Sequence, residues 1–427
     1  MFIVLQLQLA PVDHWFQETH MQNMIGQLEL AHRLLWDMNV HKGNKGWLHW
    51  PAEDHKRLLE QVFTIANQFR QMSDVTVVVG IGGSYLGARA ALSMMGSSFP
   101  YPEDVDRILF AGNQLSSQYM TDLLRYLDDH EVTLVVISKS GGTLEPQVAF
   151  HVLRDYLEER YGENSKERIC AITDESKGAL NAFARLKGYS VLPIPRDIGG
   201  RYSVLTAVGL LPMAIAGLDV DEVMASAADA YNAMRSTPIM TNPAFMYAAL
   251  RHFLYMRGFT TEVMVTYEPQ VAHFAAWWQQ LFGESQGKDG TGLFPTTLQY
   301  TTDLHSMGQY VQDSRKFLME TVLDVHFADE INTVVLPEDL DEQSQYLAGK
   351  TFEELQDVAV ESVVAAHVNA GVPNVVVRMS GPKEQVFGEL VYFFEFACAI
   401  GGYLAGVNPF DQPGVEAYKQ EMQSRLR

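Results

Sequence analysis

Glycines, hydroxyls and cations recur in this chain just where short apolar runs end. Gly80-Ile81-Gly82-Gly83-Ser84-Tyr85-Leu86-Gly87-Ala88 directly follows Val75–Val79. A turn of that kind, opening into a helix, presents bare amides that can hold an anion. Counting G-x-G-x-x-G from Gly80 puts Tyr85 where the third glycine belongs, so the turn is not a dinucleotide fingerprint. Ser138-Lys139-Ser140-Gly141-Gly142-Thr143 follows Val132–Ile137, with Glu145 just beyond. Hydroxyls, a cation and amides at a helix N-terminus suit a phosphate dianion, because orphan N–H groups and the helix dipole both favour negative charge. Helix capping by Ser140 or Thr143 accounts for the second segment taken alone. Two such turns at neighbouring strand ends favour a ligand, since open α/β sheets bind at the carboxyl ends of their strands.

Four further segments carry acid, base and clamp chemistry. Ala275–Asp289, AAWWQQLFGESQGKD, reads as a helix stopping near Gly283, with Gln280 four residues before Glu284 and on the same face. A carboxylate at an aromatic-rich helix end can be partly desolvated and its proton affinity raised toward that of a working base; a solvated surface glutamate is the plain alternative. Thr301-Thr302-Asp303-Leu304-His305 reads as a helix start capped by Asp303 or a threonine, with His305 in the first turn, where the dipole favours neutral imidazole. Asp197-Ile198-Gly199-Gly200-Arg201-Tyr202-Ser203 puts Arg201 beside two glycines, where its guanidinium can approach a developing oxyanion or pair with Glu145. Asn408–Lys419, NPFDQPGVEAYK, sets a proline-punctuated turn before a last helix that carries Lys419. A packed histidine and a solvated lysine are the bland readings of His305 and Lys419.

These segments need a scaffold, and the apolar pattern supplies one. Val75–Val79, Ile108–Ala111, Val132–Ile137, Ile169–Ile172 and Ser190–Ile194 are short apolar runs separated mostly by helix-length segments, the pattern of buried parallel strands. Residues 21–69 are helical in spacing. A second series reads as strands at Glu262–Tyr267, Asn332–Leu336 and Asn374–Met379, with helices at Phe245–Arg257, Glu354–Ala370 and Glu384–Leu404. Two α/β sandwiches in tandem follow, with a seam near Gly199–Pro212 and no flexible tether or repeat. Residues from both halves converge at such a seam, which favours a ligand site there.

Composition narrows the function. The chain has 427 residues, 47% of them hydrophobic, and 31 Lys and Arg against 52 Asp and Glu give a formal charge of −21. That field repels phosphate backbones and anionic lipid surfaces, so no nucleic-acid partner and no membrane partner is expected. Cys170 and Cys398 stand far apart, without a CxxC pair, which suits a reducing cytoplasm. Phe2–Ala10 lacks a basic n-region and reads as part of the fold. The longest apolar stretch reads as Val204–Leu218, too short to span a bilayer. Gly349-Lys350-Thr351 ends like a P-loop, but Ser344 occupies the first-glycine position and no strand leads into it. Leu86 stands where a hydrolase elbow around Ser84 requires glycine, and the histidines form no HExxH, so no metal is implied.

The motifs together resemble the glucose-6-phosphate isomerase family in its shorter bacterial form, through nearly the whole chain. Gly80–Ala88 is similar to that family's GIGGSxLGA turn, Ser138–Thr143 to its phosphate loop, Asp197–Ser203 to its GGRxS signature, Gln279–Lys288 to the stretch with its catalytic glutamate, and Asn408–Lys419 to its FDQxGVExxK signature. Many members have Thr where Gly142 stands, which leaves an amide in place of a hydroxyl here. The resemblance implies two sandwiches of the sugar isomerase (SIS) type: a helical arm over residues 1–44 packing on the second domain, a first domain over 45–205 and a second over 206–427. It also implies a cytoplasmic homodimer without metal or organic cofactor that interconverts glucose 6-phosphate and fructose 6-phosphate. By the same resemblance Ser138, Lys139, Ser140 and Thr143 hold the phosphate, and Gly83, Ser84, Gln280 and Gln412 contact the sugar. Glu284 moves the proton, Arg201 stabilises the enediolate, and His305 from the partner subunit assists ring opening with Lys419. An isomerase of another phosphosugar such as mannose 6-phosphate, and a noncatalytic sugar-phosphate sensor, stand as alternatives; a sensor would lack the base.

Overall fold

A computed structural model describes residues 5–99, 107–328 and 334–426. Its ten strands, numbered along the chain, form two five-stranded sheets. β1 (Gln6–Gln8) belongs to the second sheet, while β2 (Val75–Val79), β3 (Arg107–Ala111), β4 (Val132–Ile137), β5 (Ile169–Asp174) and β6 (Ser190–Ile194) build the first. β2 and β4 are buried at every position, as valine-rich strands covered on both faces must be, and the one threonine in each, Thr76 and Thr133, bonds the other at 2.8 Å. All pairs in the first sheet are parallel and their order is β3-β2-β4-β5-β6. The chain therefore winds outward from β2 to β3 and then reverses to β4, which opens a crevice between the carboxyl ends of β2 and β4.

β7 (Thr261–Thr266), β8 (Phe294–Gln299), β9 (Leu318–Phe327) and β10 (Asn374–Gly381) are parallel in the order β10-β9-β7-β8, and β1 adds to β10 antiparallel. Two α/β sandwiches with parallel-rich sheets, as expected, thus share one winding pattern. The expected strand Asn332–Leu336 is not among the described strands. Residues 332 and 333 lie outside the described residues, and beyond them Val335 makes only an isolated bridge to Thr351. The central strand is instead β9, whose LMETVLDVHF is interrupted by acids that the fold satisfies internally. Glu320 accepts from Tyr300 Oη at 2.6 Å and bonds His367 Nδ1 at 2.8 Å, and Asp324 accepts from Arg378 Nε at 2.6 Å.

Between the sheets lie the most apolar helices. Ala207–Ile215 is buried at every residue even with Pro212 inside it. The longest apolar helix is Lys383–Leu404 rather than the Val204–Leu218 stretch. By length and composition alone it could cross a membrane, but 94% of its most apolar window is buried inside the protein, so it serves as a core helix. Gly349-Lys350-Thr351 turns out to be a helix start: Thr351 Oγ1 accepts from Glu354 N at 3.0 Å and Glu354 Oε2 accepts from Thr351 N at 2.8 Å.

Candidate active site

The two glycine turns stand side by side because β2 and β4 are hydrogen-bonded neighbours. The first opens into the helix Leu86–Met95, which packs on the helix Ala272–Gln286 of the other sandwich. That contact sets the glycine turn against Gln280. Gly82 has φ +55°, and a Cβ there would lie 2.9 Å from Gln280 Nε2. A Cβ on Gly83 would overlap the backbone of Gly200 and Arg201. Glycine is thus required at both positions for the turn, Gln280 and the Arg201 loop to close on one another.

The helix Ala272–Gln286 does not stop near Gly283 but continues three residues further, placing Glu284 in its last turn. One carboxylate oxygen accepts from Gln280 Nε2 at 2.9 Å, the i,i+4 contact that the spacing suggested. The other faces Arg201 Nη1 at 3.3 Å. The Glu284 side chain is 29% exposed and that of Arg201 only 1%, so the carboxylate is partly open to solvent while the cation is buried.

Arg201 does not pair with Glu145. Its Nε donates to Ser285 Oγ at 2.7 Å, Nη1 also to Gln412 Oε1 at 2.6 Å, and Nη2 to the Pro409 and Asp411 carbonyls at 2.7 and 3.1 Å. One guanidinium thereby gathers its own loop, the end of the Glu284 helix and the 408–412 turn. Lys288, its side chain 8% exposed, closes the same turn from below by donating to the Asn408 carbonyl and, at 2.8 Å, to Asp411 Oδ1. Burial lowers the pKa of Lys288, partly offset by the Asp411 bond. For Asp411 the desolvation that would raise its pKa is outweighed by Lys288, which holds the carboxyl below its usual range.

In the second turn Ser138 Oγ accepts from Gly141 N at 3.0 Å and Ser140 Oγ from Gly142 N at 3.2 Å. Thr143 is the N-cap of the helix Leu144–Tyr161, yet its side chain makes no capping bond. Lys139 points elsewhere than the sequence suggests, with Nζ donating to the Arg196 and Ile198 carbonyls, both at 2.9 Å. Burial lowers its pKa, against the pull of Asp174 and Asp197. It joins the second glycine turn to the loop that leads into Arg201.

Gly83, Gln280, Glu284, Arg201 and Gln412 are thus linked into one cluster through Arg201 and Glu284, and Ser84, Ser138, Ser140 and Thr143 lie in the neighbouring turns. No hydrogen bond or ion pair among the described residues joins His305 or Lys419 to them. His305 is exposed and ends a short 3-10 turn, Thr302–His305, rather than lying in the first turn of an α-helix. Asp303 pins that turn by accepting from Gln299 N at 2.7 Å. Lys419 pairs with Glu416 at 3.1 Å in the first turn of the last helix. Sequence reasoning passed over Ser285, Lys288 and Asp411 as site residues; all three sit inside motifs it quoted, and only their contacts distinguish them.

Two doubly wound sandwiches, the first with glycine turns flanking the crevice at its switch point, define an architecture of the sugar isomerase (SIS) type. The comparisons are narrower. The phosphoglucose isomerase family model matches residues 54–426, and the chain belongs to that family. The glucose-6-phosphate isomerase of Staphylococcus aureus (strain NCTC 8325 / PS 47) is 45% identical over 425 residues, 98% of this chain and 95% of that protein. A hypothetical protein from Thermus thermophilus superposes with a TM-score of 0.89 at 28% identity, covering 99% of this chain and 100% of that one. A glucose-6-phosphate isomerase from Chlamydia trachomatis shares the fold with a TM-score of 0.74 at 22% identity, over 88% of this chain and 75% of that one.

Proposed function

We propose that Glu284 is the base that moves a proton between C2 and C1 of an open-chain sugar phosphate, with Arg201 as the charge that stabilises the enediolate. As a member of its family the chain is an aldose–ketose isomerase that interconverts glucose 6-phosphate and fructose 6-phosphate, in glycolysis and gluconeogenesis. The observation that carries the residue assignment is the pairing of Glu284 with Arg201 at 3.3 Å, beside the two glycine turns.

Abstracting a proton next to a carbonyl moves negative charge from the base to the substrate oxygens. As Glu284 takes the proton it loses its charge and its hold on Arg201 Nη1. That N–H then faces the oxygen on which charge has appeared, so the buried guanidinium keeps an anionic partner throughout. The amides and hydroxyls of Ser138, Ser140 and Thr143 receive the phosphate, with Lys139 adding its charge beside them. Remote binding there orients the reacting carbons. Gly83, Ser84, Gln280 and Gln412 contact the sugar. Ring opening falls to Lys419 and to His305 of a second copy; His305 is exposed and, among the described residues, has no hydrogen bond to Glu284 or its partners. A cytoplasmic homodimer divided at residues 44/45 and 205/206, acting without metal or organic cofactor, completes this reading.

The test is Glu284→Gln, which keeps size and hydrogen bonding but cannot accept the proton. Turnover falls by roughly 10²–10⁴-fold while 6-phosphogluconate still binds. In deuterated water the parent enzyme labels C2 of recovered glucose 6-phosphate and the variant does not. Near-normal turnover and labelling by the variant would remove Glu284 from the chemistry.

A further inference from the structure

Consecutive helical residues point about 100° apart, so the three that close the helix Ala272–Gln286 face three ways. Glu284 faces the site. Ser285 is held by Arg201 Nε at 2.7 Å and lies 3.3 Å from Tyr202 Oη. Gln286 faces the interior, where its Oε1 accepts from Arg251 Nη1 at 2.8 Å and its Nε2 donates to the Cys398 carbonyl at 2.9 Å. A Cβ on Gly401 would overlap Gln286 Nε2, so the core helix leaves room there for the amide.

Arg251 grips this helix a second time, its guanidinium lying 4.2 Å from the centre of the Phe282 ring, one turn before Gln286. It is itself fixed from behind. Its Nε donates to Glu262 Oε2 at 2.6 Å, and the other oxygen of Glu262 accepts from Tyr247 Oη at 2.6 Å and Thr321 Oγ1 at 2.8 Å. Arg251 is 2% exposed and Glu262 is fully buried. A buried, partnered ion pair that touches only the far side of the base's helix serves a purpose other than substrate contact.

We infer that Arg251 is a positioning residue for Glu284: through Gln286 and Phe282 it sets the rotation of the last helical turn, and with it the direction of the carboxylate. The inference rests on the reading of Glu284 as the base. The last turn of a helix lacks part of its own hydrogen bonding, and this one is clamped from both sides, by Arg201 on Ser285 and by Arg251 on Gln286. Releasing one clamp lets the carboxylate drift, and a drift of about 1 Å costs on the order of 10²-fold in rate.

Gln286→Met keeps the volume and removes both hydrogen bonds. Its kcat per folded molecule falls roughly 10- to 100-fold while KM changes by less than about threefold, because the sugar and phosphate contacts are untouched. Arg251→Lys, which keeps a cation for Glu262 but gives up the fork that reaches Gln286, shows the same split and serves if the first variant does not fold. Both are measured below their unfolding transitions, with folded fraction determined by circular dichroism. A kcat within twofold of the parent in either folded variant overturns the positioning role, even if stability has dropped. An inactive Glu284→Gln beside a fully active Gln286→Met defeats this inference alone, whereas an active Glu284→Gln defeats the base assignment beneath it.

Discussion

Replacing Arg201 by lysine separates charge from geometry at the centre of the site. The guanidinium supplies five N–H groups, and the structure gives it five acceptors: Ser285 Oγ, Glu284 Oε2, Gln412 Oε1 and the carbonyls of Pro409 and Asp411. An ammonium offers three donors from one point, so at least two acceptors lose their partner. Ser285 Oγ and the Pro409 carbonyl are the buried ones. At about 1–3 kcal/mol for each buried group left unsatisfied, and with Tyr202 able to take over part of Ser285, stability falls by about 2–4 kcal/mol. Catalysis suffers separately, since losing one oriented donor at a developing oxyanion costs roughly 10²–10³-fold in kcat. The assay couples fructose 6-phosphate turnover to a glucose-6-phosphate dehydrogenase, alongside urea denaturation of the same preparation. If kcat stayed within threefold of the parent while stability fell as stated, Arg201 would be a strut for the 408–412 turn and nothing more. If neither changed, the convergence of contacts on Arg201 would itself be wrong.

Lys139→Met removes the donor held by the Arg196 and Ile198 carbonyls and a charge beside the phosphate turn. Affinity for 6-phosphogluconate weakens by about 1–3 kcal/mol and kcat falls as well, because the loop entering Arg201 loosens; calorimetry showing unchanged affinity would take Lys139 out of the phosphate contacts. Glu389 is pushed up to about 7 from 4.5, chiefly by burial, which the Leu5 N–H only partly offsets. The folded state therefore keeps a proton that the unfolded chain releases, so this group's contribution is full below about pH 4.5 and is lost as pH rises toward 7, by about 3 kcal/mol. Glu389→Gln flattens that decline in urea titrations compared at about pH 5 and about pH 8, and an unchanged slope would show that the carboxyl is not held neutral.

The first sheet was nearly all legible in the sequence, and the second only in part, for one physical reason. β2, β4 and β6 coincide with their apolar runs; β2 and β4, covered on both faces, are apolar except for Thr76 and Thr133, which bond each other at 2.8 Å and so leave the local pattern intact. β9 departs from that pattern with Glu320 and Asp324, whose hydrogen-bond partners include residues far along the chain, His367 and Arg378. A strand whose polarity is cancelled by distant partners has no local signature. β8, with Thr296, Thr297 and Gln299, and the three-residue β1 lie at sheet edges where alternation weakens. Gly283 misplaced the helix end because an isolated glycine reads as a stop, whereas here it packs against Pro295 and the helix continues.

For the site, residue types were legible and partners were not. Gln280 and Glu284 lie one helical turn apart, so their contact follows from local geometry. The choice between Glu145 and Glu284 for Arg201 could not be made that way, since both carboxylates are distant in sequence and each sits near a helix terminus. Burial decides it. Arg201 enters the seam between the sandwiches with its side chain 1% exposed, and a charge there needs a counter-charge and a full set of acceptors within the seam. The Glu284 helix and the 408–412 turn border that seam and together supply all five acceptors. The same requirement explains the glycine at 83: a Cβ there would overlap the backbone of Gly200 and Arg201, so only a glycine lets the arginine loop close on the first glycine turn and aim its side chain across the seam at Glu284. A site assembled this way exists only once both sandwiches have folded and docked, so the Glu284–Arg201 pair is a product of the interface and neither half carries it alone.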